Sequence, residues 1–144
     1  MTDSSEAVVR ASTDARRVVE GDDEPMSFRA LLVDDDARFR ELARRTLVAD
    51  GVDVVAEVGR GAEVQGAVEH WRPDVVLLDI GLPDIDGLEV ARRLRVEEGG
   101  PVVILISSRD VAYGRRVAAG LAAGYLPKDE LSLAAILELA RPAP

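Results

Sequence analysis

Five short apolar runs recur along this chain, each separated from the next by a segment of helical period. The runs are ALLV (30–33), VDVVAEV (52–58), DVVLLDI (74–80), PVVILIS (101–107) and GYLP (124–127). They are too short for helices and rich in Val, Ile and Leu, as strands buried on both faces are. Between them, Phe39, Leu42, Ala43 and Leu47 share one face of 37–49, with Asp36 as N-cap and Gly51 just past the end. Val64, Ala67, Val68 and Trp71 do the same for 61–71, which Pro73 stops. Asp86 and Glu89 make a capping-box pattern that opens a helix around 87–97. The segment 110–119 is a weaker helix, because Gly114 interrupts it. Leu133, Ile136, Leu137 and Ala140 form the last stripe, ended by Pro142. The order βαβαβαβαβα predicts an α/β fold: a five-stranded, doubly wound parallel sheet with right-handed crossovers and helices on both faces.

Length and charge narrow the class. At 144 residues the chain suits one domain with a core large enough to fold alone. It carries 27 acidic against 18 basic residues, a net charge of −9, which argues against sequence-independent nucleic-acid binding. No uncharged apolar run approaches the roughly 18–20 residues that cross a bilayer. The start, MTDSSEAVV, has neither the basic nor the apolar part of a secretory signal, and there is no Cys for disulfides or thiolate metal sites. The expectation is an acidic cytoplasmic protein. Residues 1–27 read as a flexible acidic tail whose stripe of Val8, Ala11, Ala15, Val18 and Val19 permits a short helix stopped by Gly21. The segment 28–141 reads as the folded domain, and 142–144 as a C-terminal end.

In open α/β sheets, sites form at the carboxyl ends of the strands. Strand 1 leaves Asp34, Asp35 and Asp36 there; strand 3 leaves Asp79; strand 4 leaves Ser107 and Ser108; strand 5 leaves Lys128. Strand 2 leaves Glu57, Gly59 and Arg60, a less pointed set. If strands 1 and 3 are neighbours, Asp34, Asp35 and Asp79 crowd together, and such a cluster calls for a counter-charge. A hard divalent cation, Mg²⁺ above all, meets that need. Metal, lysine, hydroxyl and an attacking carboxylate together make a phosphoryl-transfer site. The basic residues agree: 17 are Arg and one is Lys, at position 128. A cramped pocket that holds one phosphoryl oxygen accepts the compact ammonium of Lys and rejects the broad fork of Arg.

The blocks VDDD (33–36), VVLLDIGLPDIDGLE (75–89), ILISS (104–108) and AAGYLPKDEL (122–131) resemble the receiver domain of bacterial two-component response regulators, over about residues 28–140. The resemblance implies a flavodoxin-like three-layer fold with strand order 2-1-3-4-5. It implies Asp79 as phosphoacceptor, Asp35 binding Mg²⁺ directly, Asp34 binding it mainly through water, and the Gly81 backbone carbonyl as a further ligand. Ser107 would hydrogen-bond the phosphoryl group, Lys128 would pair with a phosphoryl oxygen, and Tyr125 matches the switch aromatic. A sensor histidine kinase would be the phosphoryl donor. On phosphorylation Ser107 would move toward the phosphoryl oxygens and Tyr125 inward. The surface of helix 4, strand 5 and helix 5 would then change, to engage a downstream protein or a second copy. Neither a membrane nor direct nucleic-acid contact is implied for this chain. Lys128-Asp129 is similar to the receivers that carry a C-terminal helix-turn-helix output domain, although no output domain follows within these 144 residues.

The remaining signals have plainer readings. Asp36 suits a helix cap, and Asp84 and Asp86 suit a turn and a cap. His70 suits a surface or capping role, and Arg44, Arg45, Arg92, Arg93, Arg115 and Arg116 suit solvated faces. Two other functions stay open: a degenerate receiver that binds partners without being phosphorylated, and a metal-dependent phosphatase.

Overall fold

The computed structural model describes residues 28–84, 87–95, 100–108, 111–119 and 124–140. The 1–27 segment, the Asp86 cap and the 142–144 end lie outside the described residues. The strands are β1 (Arg29–Val33), β2 (Asp53–Val58), β3 (Val75–Asp79), β4 (Val102–Ser107) and β5 (Gly124–Pro127). The helices are α1 (Ala37–Ala49), α2 (Val64–Trp71), α3 (Gly87–Arg95), α4 (Val111–Ala118) and α5 (Leu133–Ala140). The strands form one parallel sheet in the order β2-β1-β3-β4-β5, the predicted doubly wound arrangement.

Because successive strand side chains point to opposite faces, each apolar run feeds two cores. Leu31, Val33, Val76, Leu78, Val103 and Leu105 pack beneath α2, α3 and α4. Ala30, Leu32, Val75, Leu77, Ile104 and Ile106 pack beneath α1 and α5. β3 lies between β1 and β4 and is buried along its whole length. That is why its sequence is a continuous apolar run that ends in one carboxylate. Each fully buried Leu, Ile or Val contributes about 1.5–3 kcal/mol of transfer free energy, so the charged groups at the sheet's edge sit on a rigid base.

Local signals set the ends. Asp36 caps α1, its carboxylate accepting from the N–H groups of Arg38 and Phe39. Arg72, in the left-handed region, ends α2 before Pro73. The Ser132 hydroxyl accepts the Ala135 N–H at the start of α5.

Four readings change in detail. Leu42 and Leu137, read as part of the apolar stripes of α1 and α5, are exposed, and the buried faces are carried by Ala43 and Leu47 on α1 and by Ile136 on α5. Residues Gly61–Glu63 form a 3-10 turn and α2 starts at Val64, because the Asp84 carboxylate takes the N–H groups of Gly61 (2.8 Å) and Ala62 (3.1 Å). Asp84 thus caps a different element from the loop it belongs to. Arg44 is not simply a solvated position: its Nε lies 2.9 Å from Glu57 Oε2 on β2. Gly114 does not interrupt α4, which runs continuously through it. Its missing side chain leaves the space that the Tyr125 ring fills. Among the described residues, no helix is long and apolar enough to cross a membrane.

Candidate functional site

The register explains why the acidic residues meet. Val33 pairs with Leu78, so Asp34 and Asp79 leave β1 and β3 side by side. Asp79 pairs with Ile106, and Ser107 with Pro127, so Ser107 and Lys128 continue the same edge. Four chain-distant positions are thereby brought to the carboxyl end of the sheet.

One carboxylate oxygen from each of Asp34, Asp35 and Asp79 lies within 4.8 Å of the other two. Asp34 is 0% and Asp79 7% exposed, whereas Asp35 faces solvent. Lys128 Nζ stands 2.6 Å from Asp34 Oδ2 and 3.9 Å from Asp79 Oδ2. It also lies 4.6 Å from the centre of the Phe39 ring, on whose face a cation is favoured. The other oxygen of each buried carboxylate takes a backbone donor. Asp34 Oδ1 accepts the Asp36 N–H at 2.9 Å, and Asp79 Oδ1 accepts the Gly81 N–H at 3.2 Å.

Burial is the main cause that raises the Asp79 pKa, and the charge of Asp34 is second. The Gly81 N–H and Lys128 oppose the rise, and Asp35 adds to it. Crowding of carboxylates, the reason read from the sequence, is therefore the lesser part; desolvation at the end of an all-buried strand is the greater. Two buried carboxylates and one exposed one, with a single ammonium among them, make an all-oxygen acidic set of the kind that suits a hard divalent cation.

Around this cluster, Ser107 is buried at the end of β4, and its carbonyl accepts the Tyr125 hydroxyl at 3.3 Å. Tyr125 is 5% exposed, so the aromatic expected to move inward already stands inside. Gly81 is exposed and touches the cluster through its backbone. His70 is exposed, its ring edge-on to Trp71.

Sequence reasoning missed three residues here. In the sequence Phe39 stands only as one member of the α1 apolar stripe. Arg40 donates from Nη1 to the Asp34 carbonyl. Gly87 lets α3 approach the end of β3, since a Cβ there would lie 2.5 Å from the Asp79 carbonyl oxygen. The two α1 residues follow the acidic triplet by a turn of helix, which is the only signal of their placement.

A family model described as the response regulator receiver domain matches residues 30–140. The chain belongs to that family. Among relatives of this receiver, the DNA-binding response regulator MtrA of Mycobacterium tuberculosis (strain ATCC 25618 / H37Rv) is 42% identical over 85 residues. That match covers 59% of this chain and 37% of MtrA. The response regulator MprA of Mycobacterium sp. (strain KMS) is 42% identical over 107 residues, 72% of this chain and 45% of MprA. The receiver thus spans less than half the length of these curated relatives. In structure it is similar to the signal receiver domain of the response regulator NarL from Mycobacterium tuberculosis, at 35% identity and a TM-score of 0.74. That match covers 83% of this chain and all of the other. The BeF3-activated N-terminal receiver domain of Klebsiella pneumoniae RstA gives 30% identity and a TM-score of 0.67, over 79% of this chain and 99% of that one. The strand order of this receiver is therefore the order of a shared fold.

Proposed function

We propose that this receiver takes a phosphoryl group onto Asp79 in a Mg²⁺-dependent step, with a sensor histidine kinase as donor. The observation that carries the reading is the meeting of Asp79 with Asp34, Asp35 and Lys128 at one sheet end. An ionised Asp79 oxygen attacks phosphorus, the P–O bond forms, and the donor's bond to phosphorus breaks. Asp79 is held for this by its N–H bond from Gly81, which leaves Oδ2 on the Lys128 side. Asp35, Asp34, Asp79 and the Gly81 carbonyl are the residues that would hold Mg²⁺. When bound, the cation supplies the positive charge that three carboxylates and an incoming phosphoryl group need.

Lys128 pairs with a phosphoryl oxygen, in exchange for one of its two carboxylate partners. Ser107 offers its hydroxyl from the neighbouring strand end. Tyr125 spans β5 and α4 and reports the position of Ser107, whose carbonyl it already meets. The surface of α4, β5 and α5 is the output face, toward a downstream protein or a second copy. By analogy with the DNA-binding relatives, that output is control of a DNA-binding region. We take 28–141 as the receiver unit, with 1–27 as an acidic extension. Its role is regulatory, and it assists its own phosphorylation and dephosphorylation.

The test is intact mass after incubation with acetyl phosphate, with and without Mg²⁺, on the wild type and Asp79→Ala. The expected result is a gain of one phosphoryl group that requires Mg²⁺ and is absent from the variant. No gain by the wild type from either acetyl phosphate or a phosphorylated kinase would overturn the reading in favour of a binding module that is never phosphorylated.

A further inference from the structure

The main chain of Asp34 is gripped from two elements. Its N–H donates to the Val58 carbonyl on β2 at 3.1 Å, and its carbonyl accepts from Arg40 Nη1 on α1. Arg40 is itself braced, since its Nε lies 3.4 Å from Glu57 Oε1. Arg44, one turn further along α1, lies 2.9 Å from the other oxygen of the same carboxylate. Gly59 keeps the path open, because a Cβ there would come 3.1 Å from Arg40 Nη1. One guanidinium therefore connects α1, the end of β2 and the loop that carries Asp34 and Asp35.

We propose that Arg40 is a positioning residue for the acidic cluster, holding the Asp34 main chain in place and thereby setting the cluster's affinity for a divalent cation. The inference rests on the reading of that cluster as a cation site. Its physical basis is the narrow tolerance of such sites, about 0.5 Å in ligand placement. Asp34 is wholly buried and pairs with Lys128, so a displaced Asp34 also displaces the ammonium that competes for the carboxylates. A planar fork reaches the Asp34 carbonyl and Glu57 together; a lysine ammonium is a single point and reaches one of them.

The test compares the full 144-residue chain as wild type, Arg40→Gln, Arg40→Lys and Arg44→Gln. Mg²⁺ affinity is read by titration calorimetry, thermal unfolding by circular dichroism, and phosphoryl gain by mass. Arg40→Gln and Arg44→Gln each remove one partner of Glu57, so a purely structural role gives them the same affinity. The expected result is a Mg²⁺ affinity about tenfold weaker in Arg40→Gln, the size of effect usual for a group that orients a metal ligand. Arg40→Lys is expected between the two, and Arg44→Gln close to wild type. Equal affinities in Arg40→Gln and Arg44→Gln would overturn the proposal; should Arg40→Gln not fold, equality of Arg40→Lys and Arg44→Gln would do so. A wild type that binds Mg²⁺ but gains no phosphoryl group would refute the phosphoacceptor reading and leave the Arg40 comparison standing. A wild type that binds no Mg²⁺ would overturn both.

Discussion

Asp79 answers two opposed requirements. As the end of a buried strand it is rigid and partly desolvated; as the phosphoacceptor we propose, it would have to be ionised. Desolvation and the nearby Asp34 raise its pKa, so the fold favours its protonated form. A carboxyl group raised in this way adds stability below its unfolded value of 3.8, and that stability is lost as pH rises through the folded value. In a chelator, Asp79→Asn should therefore melt a few degrees above wild type at pH 7. The difference should shrink as pH falls toward the ordinary carboxylate range. Melting curves at successive pH values decide it; a difference that stays constant with pH would mean that the ionised carboxylate is not the source of the strain.

At the scale of elements, α4 and β5 meet through a glycine and a ring. A glycine inside a helix costs about 0.5–1 kcal/mol relative to alanine. Gly114 is nonetheless where the Tyr125 ring lies, and a Cβ there would overlap the ring. Gly114→Ala should thus destabilise the chain by about 1–3 kcal/mol, the usual range for overpacking, despite its better helix propensity. Adding Tyr125→Leu should return part of that loss, a coupling that a double-mutant cycle in urea measures. A stabilising Gly114→Ala would show that ring and helix move apart freely. From the sequence alone Gly114 is a helix interruption, because the ring that needs its space arrives from another strand. Gly87 is the same case at α3, where the neighbour is the backbone of Asp79 and Ile80.

At the scale of the molecule, two apolar layers hold one charged edge in place. The chain carries −9 overall, and three of its carboxylates converge there. A divalent cation should raise the melting temperature by mass action, about 2.7 kcal/mol at a concentration one hundred times its dissociation constant. For a chain of this size that is several degrees. Asp35→Asn should lose most of the gain while leaving the buried residues undisturbed, since Asp35 is exposed. Scanning fluorimetry with MgCl₂ against NaCl at matched ionic strength checks it; equal shifts from both salts would reduce the effect to general screening.

Much of this was legible in the sequence, for a definite reason. Periodicity reports which face of a segment is buried, so the five runs, the Asp36 cap and most of the three helical stripes could be read locally; Leu42 and Leu137, read on those stripes, are exposed. Strand ends could be listed in order, and resemblance supplied the strand order that brings Asp34, Asp35, Asp79, Ser107 and Lys128 to one edge. Tertiary structure decided what each of them touches: Lys128 closer to Asp34 than to Asp79 and above Phe39, Arg40 on the Asp34 carbonyl, Asp84 capping Gly61, Tyr125 already inward over Gly114. These contacts join residues on separate elements, most of them far apart in the chain. Such contacts depend on register and on the crossing of packed elements, which the periodicity of a single segment does not encode.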